Sequence, residues 1–333
     1  MKIAINGFGR IGRAFLRTIL TDAAARSSLE VVAINVGPAN ISFTAHMFKY
    51  DTIMGTYPEA VSMQADKLII GNYTIKIIAE TNAENLPWHD LGVEWVVDAT
   101  GAFTKREKAE LHLKSGAHKV LITAPAHDED ISIIPGINHI TYDAQKHAIV
   151  SLGSCTTNAF IPMLKVLHDT FGISHGFMTT VHAYTNSQVL LDVESQSLRL
   201  SRAAALNMIP TTTGASKMLT KVLPELGQAI KATSLRVPVA IVSLIDLTVT
   251  TRKSISIKAI NDSFSIAADS SLKNILAITD EPLVSSDFTG NPHSVIIDAL
   301  STDAIGTTAK VLGWYDNEWG YSQRLKDFLL FIQ

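Results

Sequence analysis

The sequence predicts an α/β fold in two domains: the first has a parallel sheet, and the second is α+β with a mixed or antiparallel sheet. The chain has 333 residues, enough for about two domains at roughly 150 residues each. Its composition is 47% hydrophobic and 18% charged, which is typical of a chain that forms a core rather than of a disordered one. Short apolar runs alternate with amphipathic segments as far as about residue 150, where the pattern changes.

In the first half, apolar runs predict the strands of a parallel sheet, and the segments between them predict helices. The strands are apolar on both faces, as expected where helices cover both sides of a sheet. A hairpin is expected within Asp51–Ile78, with its turn at Gly71 and Asn72. The predicted strands are Lys2–Asn6, Leu29–Asn35, Glu94–Thr100 and Lys119–Thr123, and the predicted helices are Ile11–Leu20 and Lys105–Ser115.

Beyond residue 150 the strand-like runs are longer, and they predict a sheet with helices on one face. A final amphipathic helix is predicted over Gly320–Phe331. We expect residues 1–153 and 317–333 to form the first domain and residues 154–316 the second. The other predicted strands are Ile173–Tyr184, Ser234–Thr251 and Ser294–Ala299, and the other predicted helices are Gly214–Leu223 and Asn261–Leu276.

Charge and cysteine content exclude several classes of protein. Lys and Arg number 28 against 31 Asp and Glu, which argues against a broad nucleic-acid-binding surface, because such a surface needs clustered basic charge. No apolar run reaches the roughly 18 residues of a membrane-spanning helix. Cys155 is the only cysteine, so neither an intrachain disulfide nor a thiolate-rich metal site is expected. We therefore expect a cytoplasmic protein with no metal, and with neither nucleic acid nor membrane as a partner.

The segment Gly7–Gly12 has the pattern of a dinucleotide-binding fingerprint, and it connects the first strand directly to the first helix. Gly7 would permit the tight turn, Gly9 the close approach of a pyrophosphate, and Gly12 the close packing of helix on strand. Free N–H groups at the helix N-terminus would bind the phosphates. This context predicts a Rossmann-type dinucleotide-binding domain. Its expected cofactor-binding residues are Gly7, Phe8, Gly9, Arg10, Ile11 and Gly12.

The acidic residue that usually completes this fingerprint is missing. The second strand ends at Asn35, and Val36 follows where a carboxylate would bind the adenosine ribose. In one interpretation, Asn35 and backbone groups hold the ribose well enough. In the other, loss of the carboxylate removes repulsion against a 2′-phosphate and admits NADP. No Arg or Lys lies between Val36 and Ser42 to attract that phosphate, so the choice between NAD and NADP stays open.

Cys155 lies in a loop of small polar residues that leads into an apolar run, which predicts a helix capped by Ser154 or a neighbour. The dipole at a helix N-terminus lowers the pKa of a thiol, so the position favours a nucleophile over a buried structural cysteine. The backbone N–H of Cys155 would also serve as an oxyanion donor. His182, on the next β-rich run, is the candidate proton acceptor. The spacing does not show whether the two side chains meet, and a histidine in a strand is more often structural.

Four segments closely resemble the signature motifs of phosphorylating glyceraldehyde-3-phosphate dehydrogenases. The resemblance extends over the whole chain, in order and with small length changes only. The cysteine and C-terminal motifs are highly specific to this family and its near relatives. The segments are Asn6–Arg13, Ser154–Asn158, Thr180–Asn186 and Trp314–Ser322.

The resemblance implies an enzyme of glycolysis and gluconeogenesis, a homotetramer, that oxidises glyceraldehyde 3-phosphate to 1,3-bisphosphoglycerate with NAD(P). Cys155 would attack the aldehyde to give a thiohemiacetal, and His182 would accept the proton. Hydride transfer would leave a thioester, which inorganic phosphate then attacks. The other site residues that it implies are Asn35, Thr100, Gly101, Thr123 and Asn317 for the cofactor, Thr185 and Arg236 for the substrate phosphate, and Ser154, Thr156, Thr213 and Gly214 for the attacking phosphate.

The chain departs from the family pattern at several positions around the cofactor and the substrate. Thr81 stands where an arginine of the cofactor domain is usual. Ser187 stands where an aspartate is usual, which would loosen the substrate-phosphate site. Glu194 replaces a proline that contacts a neighbouring subunit's adenosine. At that place Glu194 would repel a 2′-phosphate, against the effect of Val36.

The residues leave alternatives to this function open. Asn291–Ser294 resembles erythrose-4-phosphate dehydrogenase, a non-phosphorylating relative with the same cysteine and histidine. The segments His182–Asn186 and Thr211–Gly214 favour the glyceraldehyde branch instead. A binding protein that keeps the fold without the chemistry is disfavoured, because a decayed site should lose its polar groups first.

Overall fold

The computed structural model describes residues 1–333 and divides the chain into two compact units. Unit 1 comprises Met1–Ile133, His139–Gly153 and Ser322–Gln333, and unit 2 comprises Ile134–Asn138 and Ser154–Tyr321. Each unit is built around one large sheet with helices, which confirms the predicted two-domain α/β fold class. No helix of the chain combines the length and the apolar character needed to cross a membrane.

Unit 1 has a nine-stranded sheet in the order β3-β4-β5-β2-β1-β6-β7-β9-β8. Its strands are β1 (Lys2–Asn6), β2 (Glu30–Asn35), β3 (Val61–Gln64), β4 (Lys67–Ile70), β5 (Tyr73–Ile78), β6 (Trp95–Asp98), β7 (Lys119–Ile122), β8 (Ile131–Ser132) and β9 (Ile149–Ser151). Its helices are α1 (Arg10–Thr21), α2 (Ala23–Ser28), α3 (Thr44–Lys49), α4 (Trp88–Leu91) and α5 (Arg106–Lys114), with short 3₁₀ helices at Ile41–Phe43, Ala83–Asn85 and His139–Thr141.

The strands of unit 1 are parallel except at the edge formed by β3, β4 and β5. The turn between β4 and β5 falls at Gly71 and Asn72, as the sequence predicts. The carboxyl ends of β1, β2, β5 and β6 lie side by side, since these neighbours pair in parallel. The loops that follow them therefore meet at one edge of the sheet, where ligands of such sheets bind.

The last residues of the chain pack on unit 1. Lys326 Nζ lies 2.5 Å from Asp22 Oδ2 at the start of α2. The ring of Phe328 makes edge contacts with the rings of Trp95 and Tyr142. An ion pair and an aromatic cluster thus hold the C-terminal segment against the first unit.

Unit 2 has a seven-stranded mixed sheet in the order β11-β12-β10-β13-β16-β15-β14. Its strands are β10 (Ile173–Ala183), β11 (Ile209–Thr211), β12 (Ile230–Val237), β13 (Ser243–Thr251), β14 (Leu276–Thr279), β15 (Val295–Ile305) and β16 (Thr308–Tyr315). Its helices are α6 (Cys155–Phe171), α7 (Ala215–Val222) and α8 (Ile257–Asp269), with 3₁₀ helices at Ala204–Leu206, Pro224–Leu226 and Ser285–Phe288. Helix α9 (Trp319–Phe331) begins in this unit and continues into unit 1 from Ser322.

Apolar side chains of α6, α7 and α8 form one core with those of the strands. Phe160 and Leu164 of α6, Leu219 of α7 and Phe264 of α8 are all fully buried in it. This core fixes α6, whose first residue is Cys155.

Two predicted elements of unit 2 are wrong. The run Ser234–Thr251 is two strands rather than one, because Pro238 has no N–H to donate and Val242 takes a positive φ of 68°. The two strands lie on opposite sides of β10, parallel to it as β12 and antiparallel to it as β13. The helix predicted over Asn261–Leu276 begins earlier, because Ser256 caps it, and it ends at Asp269.

Candidate active site

Cys155 is the first residue of α6, and a capping box fixes the start of this helix. Ser154 Oγ accepts a hydrogen bond from Thr157 N (3.2 Å), and Thr157 Oγ1 accepts one from Ser154 N (2.7 Å). The predicted cap at Ser154 is confirmed. Cys155 as a whole residue is partly exposed.

His182 lies near the end of β10, and its Nε2 is 3.5 Å from Cys155 Sγ. The structure thus brings together the two residues whose meeting the spacing left open. The imidazole is 5% exposed. The pair therefore has the geometry of a nucleophile and its proton acceptor.

Arg236 lies opposite His182 in the parallel pairing of β12 with β10. Its Nη1 is 2.6 Å from His182 Nδ1 and donates a hydrogen bond to Ala183 O at 3.0 Å. His182 Nδ1 is also 2.8 Å from Ala183 O. The two contacts of Nδ1 select opposite tautomers, because an arginine N–H needs an unprotonated Nδ1 and a carbonyl needs a protonated one.

Burial and the charge of Arg236 set the ionisation of this pair. Burial, followed by the nearby guanidinium, lowers the pKa of His182 to about 4. Burial also raises the pKa of the Cys155 thiol, although Arg236 acts in the opposite direction. The lowered pKa that the sequence predicts for Cys155 is therefore wrong, because desolvation outweighs the favourable charges around the sulfur.

Tyr315 is a part of this site that the sequence reasoning missed. Its hydroxyl is 3.0 Å from Thr156 Oγ1 and 2.8 Å from Thr180 Oγ1, and its ring packs edge-on to the ring of His182. Burial raises the pKa of Tyr315, so the phenol stays neutral. It joins the start of α6 to β10 and so stabilises the relative position of cysteine and histidine. Its signal in the sequence is its place within the C-terminal motif.

Asn317 is buried next to β13 and has a defined amide orientation. Ser243 Oγ accepts a hydrogen bond from Ala183 N at 3.1 Å and donates one to Asn317 Oδ1 at 3.1 Å. Because the hydroxyl donates its proton to Asn317, the atom of Asn317 that faces it must be the amide oxygen, which can accept a hydrogen bond. The amide nitrogen is left to donate elsewhere, as the carboxamide role implied for Asn317 requires.

The other residues expected to bind phosphate belong to unit 2 but make only local contacts. Thr185 N donates to Gln188 Oε1, and its hydroxyl lies 2.9 Å from Ser187 Oγ. Thr213 Oγ1 accepts from Ala215 N at the start of α7, which Gly214 caps. Direct contacts join Cys155 to His182 and His182 to Arg236. This series of contacts does not include Thr185, Thr213 or Gly214.

The glycine loop of unit 1 has the packing that the fingerprint requires. A Cβ on Gly12 would lie 2.2 Å from Gly7 O, and Gly7 has a φ of +93° with Thr100 Cγ2 2.7 Å from its ideal Cβ position. Gly9, the N-cap of α1, has no neighbour within 4 Å of that position and no side-chain cap. Closely packed glycines on either side of an open one fit a pyrophosphate at this helix N-terminus.

The other predicted cofactor residues occupy the same edge of unit 1 or flank it. Thr100 Oγ1 donates to Asp98 Oδ1, Thr123 N donates to Asp98 O, and Gly101 has a φ of 72°. Phe8 stacks on Phe48, and Arg10 pairs with Asp51. The side chains of Phe8 and Arg10 are thus engaged within unit 1, and Ile11 is half-buried in α1.

A cavity of about 220 Å³ opens at this edge. Asn6, Asn35, Val36, Glu80 and Thr100 are among the residues that line it. The carboxamide of Asn35 is buried and bridges Asn6 Oδ1 to the backbone of Glu80. Val36, which stands where the fingerprint usually has a carboxylate, therefore lines this cavity.

A Rossmann-type unit, together with a second unit that holds a cysteine against a histidine, defines the class of dinucleotide-dependent dehydrogenases with a cysteine in the site. Within this class, the chain belongs to the glyceraldehyde-3-phosphate dehydrogenase family. The family model described as the NAD binding domain matches residues 1–106, and the one described as the C-terminal domain matches residues 154–317.

Curated relatives agree with this assignment over the full length of the chain. It is 48% identical to glyceraldehyde-3-phosphate dehydrogenase 1 of Bacillus cereus over 332 residues, covering 99% of this chain and 98% of the relative. It is 46% identical over 333 residues to the enzymes named glyceraldehyde-3-phosphate dehydrogenase 2 of Streptomyces avermitilis and glyceraldehyde-3-phosphate dehydrogenase of Geobacillus stearothermophilus, covering 100% of this chain and 98% of each relative.

Proposed function

We propose that this protein oxidises glyceraldehyde 3-phosphate to 1,3-bisphosphoglycerate, with NAD as the oxidant and inorganic phosphate as the acyl acceptor. The observation that supports this most directly is the contact of Cys155 Sγ with His182 Nε2 at the start of α6, in a chain of this family. A cysteine so placed forms covalent acyl intermediates and splits one difficult reaction into two easier ones.

Cys155 attacks the aldehyde carbon, and its S–H proton passes to His182 Nε2 as the S–C bond forms. The imidazolium then protonates the oxygen of the thiohemiacetal and takes the proton back as the carbon loses hydride. A bound nicotinamide would supply the acceptor for that hydride. The thioester left on Cys155 is then attacked by phosphate, which releases the acyl phosphate and the thiolate.

His182 acts as a base only in the tautomer that carries its proton on Nδ1, where Ala183 O accepts it. Arg236 opposes this tautomer, because its Nη1 lies 2.6 Å from Nδ1. A substrate phosphate that pairs with Arg236 competes for the guanidinium, so substrate binding favours the basic tautomer. The Nε of Arg236 is buried and has no acceptor, which fits an anion at this place.

We assign the remaining contacts to the two phosphates from the chemistry of the residues. Thr185 supplies a hydroxyl for the substrate phosphate beside Arg236. Inorganic phosphate is held by hydroxyls and backbone N–H groups, which carry no net charge and so leave the attacking phosphate oxygen nucleophilic. The residues that supply these groups are Ser154, Thr156, Thr213 and Gly214.

Most of the residues that would hold the cofactor belong to unit 1. The open space at Gly9 receives the pyrophosphate, and the cavity lined by Asn35 and Thr100 receives the adenosine side. Thr123, Gly101 and the loop residues Phe8, Arg10 and Ile11 contribute backbone groups at the same edge. Asn317, with its amide nitrogen left to donate, orients the nicotinamide carboxamide.

The cytoplasmic protein is a homotetramer. Six large apolar side chains of the segment between β10 and β11 are exposed in the single chain: Leu190 (85%), Leu191 (72%), Val193 (60%), Leu198 (92%), Leu206 (76%) and Met208 (72%). Such a patch is typical of a surface covered by another subunit. Light scattering should give about four times the 36.1 kDa of one chain, and a monomer mass would contradict the assembly.

Initial rates with glyceraldehyde 3-phosphate and NAD, measured with and without inorganic phosphate, test the function. We expect turnover to require phosphate, because without it the thioester on Cys155 accumulates after one cycle. A rate indifferent to phosphate, or a rate seen only with erythrose 4-phosphate, would contradict the proposal in favour of the non-phosphorylating relative.

A further inference from the structure

We infer that Glu80 makes this site select NAD over NADP, in place of the missing carboxylate at position 36. The inference rests on the proposed function and names a specificity-determining residue for its cofactor. In the usual fingerprint, an acidic residue at the end of the second strand binds the ribose 2′-hydroxyl, and it excludes a 2′-phosphate by charge. Here Val36 occupies that place.

The topology of unit 1 brings Glu80 to Val36. Strands β2 and β5 are parallel neighbours, with Asn35 paired to Ile78. Val36 N, just past the end of β2, donates to Ile78 O at 2.8 Å. Glu80 follows β5 by two residues, so both residues lie just beyond the carboxyl ends of adjacent strands. They line the same cavity.

The side chain of Asn35 holds the backbone of Glu80 in this place. Its Oδ1 accepts hydrogen bonds from Glu80 N (3.0 Å) and Gly37 N (3.2 Å), and its Nδ2 donates to Glu80 O (2.9 Å). The loop after β2 and the loop after β5 are thus tied to one buried amide. Glu80 is positioned by the fold rather than carried on a loose loop.

The charge of Glu80 is uncompensated. It is the only ionisable residue that lines the cavity, and its carboxylate accepts one backbone hydrogen bond, from Asn82 N at 2.7 Å. The neighbouring Thr81 carries no charge, and Arg10 at the glycine loop is paired with Asp51. A 2′-phosphate brings about −1.5 to −2 charges at pH 7. A half-buried carboxylate repels it and accepts a hydrogen bond from a 2′-hydroxyl instead.

Dissociation constants of NADH and NADPH, measured by fluorescence titration, test the inference without any turnover. The variants are Glu80→Gln, which keeps an oxygen for Asn82 N, and Glu80→Ala. The matched control is Glu84→Gln, the same change four residues along, at an exposed residue that does not line the cavity. We expect the native protein to favour NADH, and Glu80→Gln to reduce the ratio of the NADPH to the NADH constant by about tenfold or more. The control should leave that ratio unchanged.

Ionic strength gives a second readout that a purely structural role would not change. The preference for NADH should weaken as salt is added to the native protein, since salt screens charge repulsion. The preference should be nearly independent of salt in Glu80→Gln. An unchanged ratio in both Glu80 variants, with NADH still bound, would overturn the role of Glu80 alone. Failure of the phosphate-dependent rate, with the shift in ratio intact, would overturn the proposed function alone.

Discussion

We expect the Cys155→Ser variant to lose the oxidation of glyceraldehyde 3-phosphate, with kcat reduced by about 10⁴-fold or more. A serine hydroxyl is a much weaker nucleophile than a thiol. The proton of an alcohol is also harder to remove than that of a thiol, so His182 activates a serine less than a cysteine. Steady-state rates at saturating NAD and phosphate measure the loss.

Mass spectrometry connects that loss to chemistry on the sulfur. The native chain, incubated with aldehyde and NAD in the absence of phosphate, should carry an acyl adduct at Cys155, and the variant should carry none. The two chains should unfold at similar temperatures, because the exchange is nearly isosteric at a partly exposed position. Both should bind NADH equally, since the glycine loop belongs to unit 1. A variant with kcat within tenfold of the native value would contradict the role of Cys155.

Replacing His182 with asparagine should lower kcat by about 10²- to 10⁴-fold and change the pH dependence of the rate. In the native chain the pKa of His182 is about 4, so the imidazole is neutral at pH 6 to 8 and kcat/KM should not fall as pH drops across that range. In His182→Asn the proton of Cys155 must leave to solvent. Because burial raises the pKa of that thiol, the rate should rise about tenfold for each pH unit from 6 to 8.

The matched control for this variant is His175→Asn. His175 lies on the same strand β10 but is exposed and has no contact with the sulfur. It should retain native rates and a native pH profile. If His182→Asn lost activity with an unchanged profile, the histidine would be a structural residue of the strand and not the proton acceptor.

Short-range features of the site were predictable because neighbouring residues produce them. The glycine pattern after β1 reports the packing of Gly12 on Gly7, and those two residues are five positions apart. Ser154 and Thr157 cap the helix that begins at Cys155, within one turn. The predicted hairpin turn at Gly71 and Asn72 is equally local. Periodicity, capping and turn chemistry act over a few residues, so a single sequence carries them.

The amino-acid sequence by itself therefore determined the fold class, the dinucleotide loop and a cysteine at a helix start. Only the tertiary structure decided what faces that cysteine. Pairing of β10 with β12 sets Arg236 beside His182, and the break at residues 238–242 sends the chain to the other side of β10. Burial then raises the pKa of Cys155, against the effect of its helix position. Likewise, the pairing of β2 with β5 places Glu80 beside Val36. Strand order and desolvation depend on residues far apart in the chain, so local patterns in the sequence do not predict them.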